Sequence, residues 1–423
     1  MVAPLHTSRR TALSLTGAAL TTAALAACGG NSGRDSDSDS GGGPRVKQWY
    51  HQYGEDGTED AVKKFAEDYS KANVKVSWIP GDYDKKAASA LLTTTGPDIF
   101  EYGNGPTIDM ITGKQVLDLS DLLGDAKSDF TPALLERMTY KGKLYAIPQV
   151  ADMQLLVYRK SMLKKAGVTP PKTIDELVTA AGKLTTGNVK GLFLGNDGGA
   201  GNVSGPVLWA TGHEHIRDGK PDFANDDVAD ALSKFATLFK SGNLLLGSPS
   251  DWSEPAAIIQ GLTAMQWTGL WTLPTLEKEL GDDFGVVPFP SGGSGGEQSV
   301  PVGAYAAAVS AKAKSKEAAK DFVKWLWVDQ TDKQLEWATK YGLHIPARES
   351  LVSKADRLSK GPAKDAARFV QDYGHPQTPL LWASTSSSAY GDAVDKIIRN
   401  GANPKKELDA VAKIVTRDLK RIA

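Results

Sequence analysis

VKQWYHQYGEDGTEDAVKKFAEDYSKANVKVSW, residues Val46–Trp78, switches between two spacings of apolar side chains, and that switch decides the fold. Val46 to Tyr50 reads as a buried strand. From Thr58 to Tyr69 the residues Ala61, Val62, Phe65, Ala66 and Tyr69 recur every three or four positions, which predicts a helix with one apolar face. Val74, Val76 and Trp78 then alternate with polar residues, the period of a strand. Another short strand, Asp98 to Tyr102, follows Gly96-Pro97. Strand, helix and strand in this order imply a parallel sheet with helices on its faces.

The rhythm returns downstream. Tyr145-Ala146-Ile147-Pro148 and Gln154 to Tyr158 read as extended segments. Thr173 and Glu176 fit a capping box, with Leu177, Val178, Ala181 and Leu184 as the core face behind it. Asn225 is expected to cap the helix carrying Val228, Ala231, Leu232, Phe235, Leu238 and Phe239, which Gly242 stops. Phe284 to Phe289 is a short apolar run broken by proline. Pro301 to Val309 reads as one strand of small residues, and Ser315 to Val328 as a strongly amphipathic helix. No internal repeat is present. Gly292 to Gly296 reads as an exposed turn; it lacks the helix and phosphate-binding pattern of a nucleotide loop.

A chain of 423 residues is too long for one ordinary core and fits two α/β units. Its 49 basic and 50 acidic side chains leave a net charge of -1, with no basic stripe, which argues against nucleic acid. Motifs for catalysis are lacking. Gly201-Asn202-Val203-Ser204-Gly205 does not put serine at the centre of a nucleophile elbow. His213 and His215 are two apart with Glu214 between them, a loop pattern rather than a metal-ligand set. No motif pairs two carboxylates for glycoside hydrolysis, and no cofactor or metal is implied.

Cys28 is the single cysteine, which rules out disulfides within the chain and thiolate zinc clusters. Its context has the order of an export signal, residues 1–27. Arg9 and Arg10 form a cationic start, and a short Ala-rich apolar stretch runs from Ala12 to Ala27. The stretch ends in Leu25-Ala26-Ala27-Cys28-Gly29, which looks like a bacterial lipobox. Cleavage before Cys28 would leave its thiol to carry a lipid, anchoring the chain to the outer face of the cell membrane. Ser8-Arg9-Arg10 leaves general secretory and twin-arginine export both open. Residues 28–44, rich in Gly, Ser and Asp, have almost nothing apolar to bury and read as a flexible tether.

Ten tryptophans in a chain with 8% aromatic residues point to a ligand. A sugar ring has an apolar C–H face and a rim of hydroxyls. Its site therefore needs flat aromatic platforms with carboxylates and amides beside them. Trp78, Trp325 and Trp327 suit core faces. Trp209, Trp267, Trp271 and Trp382 sit beside Gly, Pro, Ser or Thr in loop-like contexts and are the platform candidates.

Several short motifs, in a shared order, resemble the family 1 extracellular solute-binding proteins, the maltose-binding-like receptors of ABC importers. They are Trp49 through Gly57, Thr95-Gly96-Pro97-Asp98-Ile99-Phe100, Leu144-Tyr145-Ala146-Ile147-Pro148 and Leu156-Val157-Tyr158-Arg159-Lys160. Farther on come Thr268-Gly269-Leu270-Trp271, Phe284-Gly285-Val286-Val287-Pro288, Pro301-Val302-Gly303-Ala304-Tyr305 and Gly342-Leu343-His344-Ile345-Pro346. The resemblance spans nearly all of residues 46–423. It implies an α/β, two-lobed periplasmic-binding-protein-like fold of class II, with ligand in a cleft between lobes joined by hinge crossovers. The crossovers are expected near Pro148 to Asp152, Phe284 to Pro290 and Trp327 to Leu335. The N-lobe would then comprise 45–148 plus 290–330, and the C-lobe 149–289 plus 331–423.

Carried over position by position, the resemblance implies ligand contacts from Gln52, Tyr53 and Glu55 after the first strand. It implies others from Tyr102, Asn104 and the hinge-side Asp152. Trp209, Trp271 and Trp382 match stacking positions, with Trp267 and Tyr305 close to such positions. Asp98 is expected to bond backbone at a strand start, and His344 is left open between a structural bond and ligand. The implied function is capture of a carbohydrate, of two or more rings, by hinge closure and delivery to an ABC permease, by a monomer. The alternatives are a secreted glycan hydrolase, or the same fold binding a polyamine or glycerol phosphate.

Overall fold

The computed structural model describes residues 43–292, 296–303 and 305–422. The expected export signal, Cys28 and nearly all of the tether lie outside the described residues.

Two sheets organise the chain. In the first, Asn73–Ile79, Arg45–His51 and Ile99–Gly103 run parallel, followed by Tyr305–Val309 and Ile147–Pro148. The opening stretch therefore folds as its spacing predicts: strand Arg45–His51, helix Thr58–Glu67, strand Asn73–Ile79. Ala61, Val62, Phe65 and Ala66 are buried on the helix, and Val46 and Tyr50 beneath them on the strand. In the second sheet the order is Gly374–Pro376, Val300–Gly303, Val150–Arg159, Thr263–Gly269, Lys190–Phe193. Strands Phe284–Val287 and Ile345–Pro346 also pair with Val150–Arg159.

Pro301 to Val309, read as one strand, is two. Val302 pairs with Met153 and Gly303 with Asp152 in the second sheet, whereas Tyr305 pairs with Gly103 in the first. The chain thus changes sheets at Gly303–Tyr305, later than the stretch Phe284 to Pro290, where Phe284–Val287 still belongs to the second sheet. A second sheet change lies alongside it, from Ile147–Pro148 to Val150–Arg159. Alternation of small residues marks extended backbone but not which sheet receives it. Gly303 lets the Asn104 and Gln377 side chains approach the backbone closely: a Cβ there would push their side-chain oxygens aside.

Caps fall where the sequence places them. The Asn225 side chain accepts from the Val228 N–H at 3.0 Å, starting helix Asp226–Lys240. Thr173 accepts from Glu176 N–H at 3.1 Å, but Glu176 returns its bond to the Lys172 N–H at 2.7 Å, one residue earlier than in a capping box. Thr173→Ala is expected to lower unfolding free energy by about 1 kcal/mol, read as a lower urea midpoint at unchanged slope.

The expected helix from Ser315 to Val328 widens partway. It is α-helical over Lys316–Lys324 and has π turns over Trp325–Asp329, and the pattern repeats with Thr331–Glu336 and Trp337–Tyr341. The wider turns bring Trp327 and Trp337 edge to face in the core of the first sheet, ring centres 6.3 Å apart. That core continues across Val150–Arg159 onto one side of the second sheet, while helices Ile174–Leu184, Asp226–Lys240, Ser384–Asn400 and Pro404–Ile422 cover its other side. Among the described residues, no helix is long and apolar enough to cross a membrane.

Candidate functional site

A cavity of about 870 Å³ opens where the strands of both sheets end and cross. One wall grows from the first sheet. Its anchor is Glu101, 1% exposed, whose carboxylate accepts from the His51 backbone N–H at 2.7 Å, contacts His51 Nδ1 at 2.5 Å and accepts from the Tyr53 hydroxyl at 2.8 Å. The Gln149 carboxamide, turned with its nitrogen toward Glu101, donates to it at 3.2 Å and accepts the Trp327 indole N–H at 3.3 Å. A buried carboxylate so fully engaged fixes the groups that engage it.

His51 is held between two phenol rings. Tyr305 stacks on it with ring centres 4.1 Å apart, and Tyr53 tilts against its ring at 3.7 Å. Burial, then Glu101, pushes the Tyr53 phenol up. Burial, then Asp84 and Glu101, does the same to Tyr305. Both therefore stay neutral hydroxyls. Asp84 also lines the cavity, and burial raises it to about 6, opposed by His51 and reinforced by Glu101. Beside this stack Asn104, at φ +62°, donates from Nδ2 to Gln377 Oε1 at 3.3 Å.

His344 joins the two sides. Its Nδ1 lies 2.7 Å from Asp152 Oδ1, and its Nε2 lies 3.4 Å from Glu55 Oε1. Burial alone would lower its pKa; Asp152 and Glu55 outweigh that and push it up to about 10, so the ring is a cation at neutral pH. Burial raises Glu55 in turn, but His344 more than offsets it and holds the carboxyl down. The residue left open in the sequence is thus the link between two expected site acids.

The opposite wall comes from the second sheet. Trp271 follows strand Thr263–Gly269 in the short turn Leu270–Thr272, donates its indole N–H to Ser253 O at 3.0 Å, and meets Trp252 edge to face at 5.9 Å. Both indoles line the cavity and remain half-buried. Glu254 beside them is pushed up by burial and by the Glu55 charge.

The structure brings together Gln52, Tyr53, Glu55, Asn104, Asp152, Trp271 and Tyr305 on this cavity. Tyr102, Trp209, Trp267 and Trp382 are not on its wall. Tyr102 packs half-buried against the first core. Trp209 is buried in helix Ser204–Ala210, donating to Glu214 at 2.9 Å and stacked on His375. Trp267 is buried within its strand, donating to Gln154 Oε1 at 3.0 Å. Trp382 packs against His215, Phe223 and Tyr390. Small neighbours in sequence do not separate a loop from a buried strand or helix. Asp98 does bond backbone, accepting from Lys47 and Lys314 N–H at 2.8 Å each.

Trp252, Glu254, Asp84 and Gln377 were not read from the sequence. Asp251-Trp252-Ser253-Glu254-Pro255 carries the same small-residue context as Trp271 and could have found the first two. Asp84 and Gln377 arrive by folding alone, Gln377 being 273 residues from the Asn104 it meets. Among the described residues, no cluster of His, Cys, Asp or Glu suits a metal ion.

Similarity to known proteins agrees with this arrangement. A model of the bacterial extracellular solute-binding proteins matches residues 60–369. The diacetylchitobiose-binding protein DasA of Streptomyces coelicolor is 29% identical over 390 residues, covering 86% of this chain and 87% of its own. The galactooligosaccharide-binding protein of Bacillus subtilis is 23% identical, covering 94% of each chain. Among solved structures, the GacH receptor of Streptomyces glaucescens, crystallised unliganded and with acarbose, superimposes with a TM-score of 0.76. It is 22% identical and covers 89% of this chain and 99% of its own. With the family match spanning most of the chain, and two sheets meeting at a cleft, this protein belongs to the bacterial extracellular solute-binding proteins and has their two-lobed α/β fold.

Proposed function

We propose that the protein is the carbohydrate receptor of an ABC import system, capturing a di- or oligosaccharide by hinge closure and handing it to a membrane permease. The observation that carries this reading is the pairing of the half-open Trp252 and Trp271 faces with Gln52, Asn104, Asp152 and Gln377 around one cavity. Indole faces suit the C–H side of a sugar ring, and carboxylates and amides suit its hydroxyls. The names of the relatives support it: DasA and the B. subtilis protein are both named for oligosaccharides.

The lobes are taken as built on the two sheets, with the sheet changes at Pro148–Val150 and Gly303–Tyr305 as hinge crossings. Ligand contacting both lobes favours the closed form over the open one. The reading includes export, lipid attachment at Cys28, a tether over residues 28–44, and action as a monomer at the outer face of the cell membrane. It is binding without chemistry, a reading supported by the match to a solute-binding family.

Thermal unfolding of the purified protein against sugars, polyols, polyamines and amino acids tests it. A ligand binding only the folded form at about 100 times its Kd adds about 2.7 kcal/mol and raises the midpoint. The expected result is a shift with one class of oligosaccharide. A shift with only a polyamine or a phosphate ester overturns the carbohydrate reading, and product formation from labelled oligosaccharide overturns binding without catalysis.

A further inference from the structure

The cavity wall carries more negative charge than its own cations balance. Glu55, Asp84 and Asp152, with the exposed Asp56 and Glu254, line it, against His344, Lys278 and His51, the last engaged with Glu101; no lysine or arginine other than Lys278 is on the wall. Glu55 and Asp152 already share His344. Lys278 is 82% exposed with Glu279 at 3.9 Å, so it contributes little inside the cleft.

The surplus has a position. Glu254 belongs to the loop before Ala256–Ile259 on the side of the second sheet, and it reaches across the cleft to the loop that follows the first strand. Its Oε1 lies 3.0 Å from where a Cβ on Gly54 would stand, next to Glu55. Two carboxylates thus meet from opposite sides of the cleft, a repulsive cost seen in the upward push that the Glu55 charge adds to that of burial on Glu254. A ligand that places a cation there turns this cost into an attraction between the lobes. The Trp252 and Trp271 faces flank the same place and favour a cation over their rings.

Neutral sugars meet the indoles and donate hydroxyls but leave the charge surplus in place. Linear polyamines meet the charge but bring no ring C–H face to lie on an indole. We infer that the preferred ligand is a carbohydrate bearing a protonated amino group, held between Glu55 of one lobe and Glu254 of the other beside Trp252 and Trp271. This rests on the carbohydrate reading above and narrows it.

Calorimetric titration of the purified protein at pH 6.5 tests it with four probes: glucosamine disaccharide with free amines, its diacetylated form, cellobiose and spermidine. The free-amine disaccharide is expected to bind at least about tenfold more tightly than the other two sugars. That preference should shrink as salt rises from about 50 to 500 mM. Glu254→Gln, shown to be folded by its ligand-free melting curve, is expected to reduce the ratio to about twofold. Equal or tighter binding of either neutral sugar overturns the amine inference and leaves the carbohydrate reading standing. A preference that survives Glu254→Gln overturns the placement at Glu254. Binding of spermidine alone, or of none of the four, overturns the inference, and the former sinks the carbohydrate reading with it.

Discussion

Replacing His344 with leucine is expected to lower the unfolding free energy by about 3–5 kcal/mol, measured by urea unfolding at pH 7. The size follows from what the ring holds apart. His344 has 4% of its side chain exposed and lies between Asp152 and Glu55, which are 20% and 13% exposed. Leucine fills the volume but leaves two carboxylates facing each other without the cation between them. Removing one partner of a buried ionic group costs far more than the group contributes, because the remaining charges keep their desolvation cost. His344→Gln, which can still hydrogen-bond to one carboxylate, should lose less.

The same substitution has a pH signature. The folded ring titrates at about 10 against 6.5 when unconstrained, so the native state holds the proton more tightly than the unfolded chain. Stability from this group is fully present below about pH 6.5 and is lost as pH rises through about 10. Wild-type stability should therefore fall across that window, and the leucine variant should lack that component of the slope. An unchanged slope would show that His344 is not the cation linking Glu55 and Asp152.

Trp271→Ala is expected to weaken ligand binding by about 2–3 kcal/mol, or about 30- to 150-fold in Kd, with the protein still folded. Its indole N–H is occupied by the Ser253 carbonyl, so what remains for ligand is the ring face. Truncation removes that face and also uncovers Trp252, which packs edge-on against it. Isothermal titration with whichever sugar raises the melting midpoint measures the loss. An affinity within about twofold of wild type would move the platform elsewhere.

The βαβ opening was legible because helix and strand each leave a period in the apolar residues, and Val46, Tyr50, Phe65 and Ala66 are all buried as that period requires. The caps at Thr173 and Asn225 were legible because a cap is local chemistry, settled within three residues. The sheet change at Gly303–Tyr305 was not, because both halves are extended and only their partners differ. The tryptophans divide for the same reason. Trp267 and Trp271 are four apart with similar neighbours, yet one ends strand-bound with its N–H on Gln154 and the other turns out at the strand end. A residue such as Gln377 depends wholly on tertiary placement.

The two sheet changes also bear on how such a receptor could be retargeted. Asp152 and Gly303 pair directly at one crossing, and Tyr305 begins the strand just beyond it. On the proposed reading, positions that touch ligand there would also be part of the axle on which the molecule turns. Altering them to suit a new sugar changes the opening equilibrium at the same time, and affinity shifts for two reasons at once. The Trp252–Glu254 loop lines the cavity away from these crossings and is tied to strand Thr263–Gly269 by Gln266, whose Nε2 donates to the Glu254 carbonyl at 2.7 Å. Libraries in that loop leave both sheet crossings intact, whereas libraries at a crossing would also act on how long a captured ligand is retained.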